Sequence, residues 1–185
     1  MYRLLILSLS IFLLYSCSSS RSSISSGKTG VSLKSTVKLK GKVPKKNINT
    51  RDVSAIKVMS FAQSLKGIRY KYGSADKSKG FDCSGYITYV FNHFDIAVPR
   101  ISRDFTNAGK EVSSLDSKPG DIILFTGSNP NSGEVGHMGL ITENKRGVIR
   151  FIHAASGNNV GVIVSGMERY YLRRFVKIIR VFSVW

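Results

Sequence analysis

The residues best suited to chemistry begin with Cys83, which lies where the sequence changes character. A polar, glycine-containing loop over 73–80 precedes it, and the apolar residues after it recur at the i, i+3, i+4 and i+7 spacing of one helix face: Ile87, Val90, Phe91 and Phe94. Cys83 is therefore expected at a helix N-terminus, where unpaired backbone N–H groups and the helix dipole favour a negative charge. Because the thiolate is the reactive form of cysteine, this position predicts a lowered thiol pKa and a catalytic nucleophile.

Three histidines are candidate bases for this thiol: His93, His137 and His153. His93 follows Cys83 by ten residues in the same predicted helix, about 15 Å along its axis, and cannot serve the thiol directly. His137 begins a predicted strand after a loop and His153 lies in the next strand, so the two can be cross-strand partners. A cysteine nucleophile needs a base within reach and a third group that orients the base. The sequence thus predicts one site from Cys83, His137 and His153.

Other interpretations of these residues remain open. Cys83 can be an inert structural cysteine, although Asp82 and Ser84 argue against an apolar burial of the thiol. The three residues can also ligate zinc, but none of them forms the short-spaced ligand pair usual in zinc sites. We therefore expect neither a metal nor an organic cofactor. A disulfide between Cys17 and Cys83 is less favoured, because Cys17 has another predicted use.

The elements that must position these residues follow one another along the chain, with the predicted helices before the predicted strands. The sequence predicts a helix over 53–66, capped by Asp52, then the Cys83 helix, then a short helix within 102–108. Five strands are predicted, over 121–125, 137–142, 150–154, 160–164 and 175–182. Because their connections are short, consecutive strands should be antiparallel. This order predicts an α+β domain whose N-terminal helices pack on a small antiparallel sheet of about five strands.

The charge of the chain is unevenly distributed. The 185 residues carry a formal net charge of +17, which raises nucleic acid, anionic membrane and acidic polymers as partners. Residues 18–50 hold eight Lys or Arg and no acidic residue, whereas residues 51–185 hold nineteen against eleven acids. No basic motif interleaved with aromatic residues occurs in the sequence, so we expect no nucleic-acid partner.

The N-terminal segment has the pattern of an export signal. A short positive start leads into an almost wholly apolar run over 4–15, which is shorter than the roughly 20 residues of a membrane-spanning helix. Leu14-Tyr15-Ser16-Cys17 resembles a bacterial lipobox, in which the cysteine is lipidated; an ordinary signal peptide cut elsewhere is the alternative. We expect residues 1–16 to be a lipoprotein signal peptide. We then expect the protein to be exported, anchored in a membrane and facing the cell wall on the periplasmic side. The outer membrane is favoured, but the sequence does not reveal which membrane holds the lipid.

Residues 17–50 are predicted to form a lipidated, disordered and basic tether, because their hydrophobicity is low and their charge has one sign. The basic run over 38–46 either contacts anionic headgroups or acidic wall polymer, or only keeps the segment solvated. Residues 51–185 are predicted to form the folded domain.

Six motifs, in order, carry a resemblance to a known family. They are Tyr70-Lys71-Tyr72-Gly73, Asp82-Cys83-Ser84-Gly85, Pro99-Arg100-Ile101-Ser102, Pro119-Gly120-Asp121, Gly136-His137-Met138-Gly139-Leu140 and Phe151-Ile152-His153-Ala154. Together they resemble the NlpC/P60 family of papain-like cell-wall cysteine peptidases, over about residues 52–182. A single catalytic domain on a lipoprotein tether is similar to the Spr/MepS-type murein endopeptidases of this family. Two departures are Ser74 in place of a second glycine, and Ile68-Arg69 in place of a small residue and proline.

The resemblance implies a role for each matching residue. Cys83 would be the nucleophile, His137 the general base and acid, and His153 the residue that orients His137. Tyr70 would help to bind the oxyanion, beside the backbone N–H of Cys83. Asp82 and Ser84 would line the substrate groove.

Arg100 has two equally favoured roles, which are binding a substrate carboxylate and forming a structural salt bridge. The implied activity is hydrolysis of amide bonds in peptidoglycan stem peptides by a monomer. The alternatives are an amidase or acyltransferase on the same scaffold, or a non-catalytic wall-binding lipoprotein. The sequence does not indicate which stem-peptide bond is cut.

Overall fold

The computed structural model describes residues 47–157 and 161–185. The predicted signal peptide, the predicted lipidation site Cys17 and all but the last residues of the predicted tether lie outside this part of the chain. Ile48 and Thr50, which were expected in the tether, are buried against the domain. The backbone N–H of Ile48 donates to the carbonyl oxygen of Ala108 at 2.9 Å. Over residues 47–157 and 161–185, no helix is long and apolar enough to cross a membrane.

Over the described residues, three α-helices and one 3-10 helix form. They are α1 (Ala55–Ser64), α2 (Cys83–Asn92), the 3-10 helix (Ser102–Asn107) and α3 (Arg169–Leu172). The three helical segments expected from the sequence appear in the expected order, and a further short helix near the C-terminus was not expected. The cap predicted for the first helix is wrong, since the side chain of Ser54, not Asp52, accepts the N–H of Ile56 at 3.2 Å. Ser54 is the nearer residue to the first helical turn, which explains why its hydroxyl reaches the free N–H group.

The strands form a two-stranded hairpin and a larger sheet. The hairpin is β1 (Ala75–Asp76) with β2 (Gly80–Phe81); the sheet is β3 (Lys110–Val112), β4 (Ile122–Thr126), β5 (Val135–Lys145), β6 (Val148–Ala155), β7 (Gly161–Gly166) and β8 (Phe175–Arg180). The sheet has the order β3-β8-β4-β5-β6-β7 and every pair is antiparallel. It therefore has six strands, against the five expected. The additional strand is β3, whose three residues are too few for a readable alternation.

Helix α2 is held on one face of the sheet by its own apolar residues. Tyr86, Ile87, Val90 and Phe91 are fully buried and belong to the same core cluster as Leu140 and Ile152 of the sheet. Each such side chain contributes about 1.5 to 3 kcal/mol by leaving water. This packing fixes the N-terminus of α2, where Cys83 lies, relative to β5.

Gly85 allows the loop that carries the hairpin to lie against the start of α2. A side chain at this position would clash with the carbonyl oxygen of Ser74. That same oxygen accepts the backbone N–H of Asp82 at 3.0 Å. The glycine of the Asp82-Cys83-Ser84-Gly85 motif is therefore required for the close approach of two backbones, beside the candidate nucleophile.

Candidate active site

The thiol of Cys83 lies at the first residue of α2. Asp82 is the N-cap, and its Oδ1 accepts the backbone N–H of Gly85 at 2.6 Å. The Sγ atom of Cys83 lies 3.9 Å from the carbonyl oxygen of Gly136, the residue before His137. Cys83 and His137 line one cavity. The helix start and the beginning of β5 thus bring the two predicted residues to the same site.

The protonation of this thiol differs from the expectation. Burial and, to a smaller extent, the neighbouring Asp82 carboxylate raise the pKa of Cys83 to about 11. Backbone N–H groups, including that of Met138, favour the thiolate and lower the pKa. The lowered pKa inferred from the helix N-terminus is therefore wrong. Desolvation and the adjacent carboxylate outweigh the helix N–H groups there.

The two histidines expected to interact do so, although they are not directly opposite in the sheet. Nε2 of His137 lies 2.9 Å from Nδ1 of His153. The register pairs Leu140 with Ile152, so His153 faces Gly139 and meets His137 diagonally. A Cβ on Gly139 would lie only 3.1 Å from the Cβ of His153 and 2.8 Å from the ring of Phe151. Glycine at 139 therefore makes room for the diagonal contact.

The remaining nitrogen of His153 has two hydroxyl partners. Its Nε2 lies 3.0 Å from Oγ of Ser165 and 3.3 Å from the hydroxyl of Tyr171. We assign the protons from this network: Nε2–H of His153 donates to a hydroxyl oxygen, and Nε2–H of His137 donates to Nδ1 of His153. This assignment leaves Nδ1 of His137 unprotonated, and that nitrogen can accept a proton.

Burial keeps both imidazoles neutral. It lowers the pKa of His137 to about 4, and it lowers that of His153 to about 3 with a further contribution from His137. His153 is fully buried, whereas His137 is half-buried. At neutral pH the site therefore holds a thiol and two uncharged rings, one of which has a free lone pair.

Tyr70 lies beside the thiol. It lines cavities together with Cys83, and its backbone forms a bridge with Phe81 of β2. Burial raises the pKa of the Tyr70 phenol, and the negative charges of the Cys83 thiolate and the Asp82 carboxylate raise it further. The phenol consequently stays protonated and can donate a hydrogen bond into the cavity.

Asp82, Ser84 and Arg100 form one polar cluster beside the thiol. The guanidinium of Arg100 donates from Nη2 to Oδ2 of Asp82 at 2.7 Å and from Nη1 to Oδ1 at 3.0 Å. Nη1 also donates to Oγ of Ser84 at 3.0 Å. This geometry favours the structural role for Arg100 over direct binding of a substrate carboxylate. All three residues still line a cavity with Tyr72 and Ile101.

The far side of the site contains residues that the sequence did not indicate. The cavity of Cys83 and His137 is also lined by Thr126, Tyr170 and Arg174. The guanidinium of Arg174 stacks on Tyr170 at 3.9 Å. Ser165 and Tyr171 were missed as well. Ser165 had a weak signal, as a polar residue in an otherwise apolar strand, and Tyr171 had none.

His93 is remote from this chemistry, as expected. It is exposed at the C-terminus of α2, and its ring stacks on Phe61 with centroids 3.7 Å apart.

Within the part of the chain that the structure covers, no cluster of three or more His, Cys, Asp or Glu residues could hold a metal ion.

Comparisons with known proteins agree with this arrangement. The chain is 34% identical over 130 residues to murein DD-endopeptidase MepS/murein LD-carboxypeptidase of Escherichia coli K12, and the match covers 69% of this chain and 63% of that protein. It is 32% identical over 133 residues to a probable endopeptidase of Haemophilus influenzae, and there the match covers 70% of this chain and 76% of that protein. The chain thus spans less than two thirds of the first relative and about three quarters of the second.

The fold is also found in solved structures. A Staphylococcus aureus protein described as similar to a lipoprotein of the NLP/P60 family superposes with a TM-score of 0.59 at 28% identity, over 73% of this chain and 43% of that one. The expected α+β, papain-like fold is confirmed. The model of the NlpC/P60 family matches residues 67–180, which include Cys83, His137, His153 and Tyr70. The chain belongs to the NlpC/P60 family.

Proposed function

We propose that this protein is a peptidoglycan endopeptidase that hydrolyses amide bonds of stem peptides, with Cys83 as nucleophile. The observation that carries the proposal is the hydrogen-bonded series His137–His153–Ser165, which ends at the cavity containing the Cys83 thiol. Such a series supplies a base and a group that orients it. The names of the two relatives, both endopeptidases, support the same activity.

The first half-reaction forms an acyl-enzyme. Nδ1 of His137 takes the proton of the thiol while Sγ of Cys83 attacks the carbonyl carbon of the peptide bond. The resulting oxyanion accepts hydrogen bonds from the Cys83 backbone N–H and the Tyr70 hydroxyl, and one such donor typically contributes about 3 kcal/mol. His137 then gives its proton to the leaving amine, the C–N bond breaks, and a thioester on Cys83 remains.

The second half-reaction returns the enzyme to its starting state. Nδ1 of His137 takes a proton from water, and the hydroxide attacks the thioester carbonyl. The carboxylic acid leaves as the C–S bond breaks, and Cys83 regains a proton from His137. Because burial favours the neutral thiol and the neutral imidazole, proton transfer accompanies attack rather than preceding it.

The location of the enzyme is part of the proposal and depends on the sequence before residue 47. We propose that residues 1–16 direct export, that Cys17 carries a lipid, and that residues 17–46 link a monomeric peptidase domain to the membrane. The pattern of the apolar run and the lipobox-like residues supports this arrangement. Metabolic labelling with a fatty-acid analogue should mark the wild type and leave Cys17→Ala unlabelled.

The activity is tested with purified sacculi. The wild type should release muropeptides, and Cys83→Ala should release none above the background of buffer alone. Both proteins should unfold at similar temperatures, because the thiol makes no strong contact with its surroundings. Mass analysis of the products identifies the bond that is cut. Equal release by the Cys83→Ala variant would overturn the assignment of the nucleophile.

A further inference from the structure

A cationic cavity adjoins the candidate active site. It is lined by Arg69, Tyr70, Lys71 and Lys79. Tyr70 also lines both cavities that contain Cys83. A group held in this cationic cavity would therefore lie on the other side of one tyrosine from the thiol, within the span of a short peptide.

The cationic cavity has an excess of positive charge. Lys79 pairs with Asp76 at 3.1 Å, and hydrogen bonds from Ser78 lower the pKa of Asp76 to about 2. Within residues 47–157 and 161–185, the ion pairs include no acidic partner for Arg69 or Lys71. Two of the three cations are thus not neutralised by the chain itself.

Arg69 is exposed, but a hydrogen bond holds its side chain in place. Its Nε donates to the carbonyl oxygen of Lys79 at 2.9 Å. Gly80 has a positive φ of 106°, and a Cβ there would lie 2.9 Å from Cγ of Arg69. Glycine at 80 therefore allows the stem of Arg69 to lie against the hairpin. In the described part of the chain the two Nη groups have no hydrogen-bond partner, and a guanidinium with both Nη groups available matches a carboxylate.

We propose that Arg69 and Lys71 bind a free carboxylate of the substrate peptide and give the enzyme a preference for acidic stem peptides. This inference rests on the proposed function. Stem peptides carry carboxylates that do not belong to the scissile bond, and a charged group fixed beside Tyr70 selects such peptides by lowering KM. Arg100, the other arginine near Cys83, is occupied by Asp82 and Ser84 and is not available for this task.

The experiment uses two defined stem peptides that differ only in one side-chain carboxylate, free in the first and amidated in the second. The wild type should cleave the acidic peptide with a higher kcat/KM, mainly through KM. Arg69→Gln and Lys71→Gln should each reduce this preference about three- to fivefold, the value of one exposed ion pair. The double variant should cleave both peptides equally. Lys57→Gln, which removes an exposed lysine of α1, is the matched control and should keep the preference of the wild type.

The outcomes separate the two proposals. If the wild type cleaves neither peptide, the proposed function fails and this inference fails with it. If the wild type cleaves both peptides equally, or if the double variant keeps the full preference, only the inference is overturned. Arg69→Gln removes a hydrogen bond to Lys79 and is checked by its unfolding temperature. The Lys71 side chain forms no hydrogen bond or ion pair with the described residues, so Lys71→Gln tests the charge with little effect on the fold.

Discussion

Two aspartate–arginine pairs with similar geometry serve different regions of this molecule. Asp82 and Arg100 are joined at 2.7 and 3.0 Å beside the thiol. Asp121 and Arg180 are joined at 2.7 and 2.9 Å at the start of β4. Both carboxylates are buried and both are engaged through two oxygens. The comparison shows that the surroundings of an ion pair decide whether it stabilises the fold or influences the candidate active site.

The Asp121–Arg180 pair is surrounded by further hydrogen bonds to the backbone. Asp121 is fully buried and also accepts the backbone N–H of Lys118 at 2.7 Å. Arg180 donates to the carbonyl oxygen of Asp116 at 2.7 Å. This pair joins the turn before β4 to the last strand of the sheet and touches none of the candidate catalytic residues.

The Asp82 pair has consequences for chemistry. Asp82 caps α2 and its charge raises the pKa of the adjacent thiol. The bond to Asp82 raises the pKa of the Arg100 guanidinium, which keeps its charge and partly balances the carboxylate. One pair therefore stabilises the fold, whereas the other sets the electrostatic potential at the candidate nucleophile.

The largest expected effect is at the structural pair. Asp121→Ala should lower the free energy of unfolding by about 3 kcal/mol, because it deletes the hydrogen bonds to a buried carboxylate and leaves the half-buried Arg180 guanidinium without its partner. Denaturant titration at pH 7 measures the loss. The cleavage rate per folded molecule should be that of the wild type, and a reduced rate per folded molecule would show that the two regions are coupled.

The pH dependence of stability should come from the catalytic region. The folded pKa values of His137 and His153, about 4 and about 3, lie below the unfolded value. As the pH falls below about 6.5, the histidines of the unfolded chain therefore bind protons before those of the folded chain. Between this pH and its folded pKa, each histidine then lowers the free energy of unfolding by about 1.4 kcal/mol per pH unit.

Unfolding free energies measured between pH 7 and 4.5 test this expectation. Stability should fall with pH in the wild type and should fall less steeply in His153→Gln, which removes one of the two groups. A free energy of unfolding that is constant over this range would contradict the burial of neutral rings.

A smaller effect is expected when the charge of Asp82 is removed. Asp82→Asn keeps an N-cap side chain but deletes the carboxylate next to Cys83, so the pKa of the thiol should fall. The rate of alkylation by iodoacetamide between pH 6 and 10, which lies below the pKa of about 11, reports the thiolate fraction and should rise as that pKa falls. An unchanged profile would mean that Arg100 already cancels the field of Asp82 at the sulfur.

The smallest effect is expected from Arg100→Gln, and it should have the opposite sign. With its partner removed, the Asp82 carboxylate acts on the thiol without compensation, and the pKa of Cys83 should rise. Arg180→Gln is the matched control, because it breaks the other pair and should not move the alkylation profile. If both arginine variants shift the profile equally, the shift has a general structural cause.

Regular periodicity made much of the fold predictable from the sequence. The apolar spacing after Cys83 located α2, and the alternating segments located five of the six strands of the sheet. The cross-strand relation of His137 and His153 followed from adjacent antiparallel strands. The short strand β3 and the β1–β2 hairpin carried too few residues to produce a pattern.

The chemistry of the site was less predictable, since it depends on packing between distant segments. Burial of Cys83 raised the thiol pKa that its place on the helix was expected to lower. Ser165 and Tyr171 contact His153 only because the chain folds. The cationic cavity likewise depends on a tertiary contact, the hydrogen bond between Arg69 and Lys79. The spacing of residues along the chain does not predict these tertiary contacts.

The most direct test of the central claim is acid quenching of the enzyme during turnover, followed by intact-mass and peptide analysis. The account predicts a thioester of the N-terminal product fragment on Cys83. It should accumulate when deacylation is slowed and should be absent in His137→Ala, which cannot take the proton of the thiol. Cleavage that proceeds at the wild-type rate with an unmodified Cys83, or in its absence, would contradict the account.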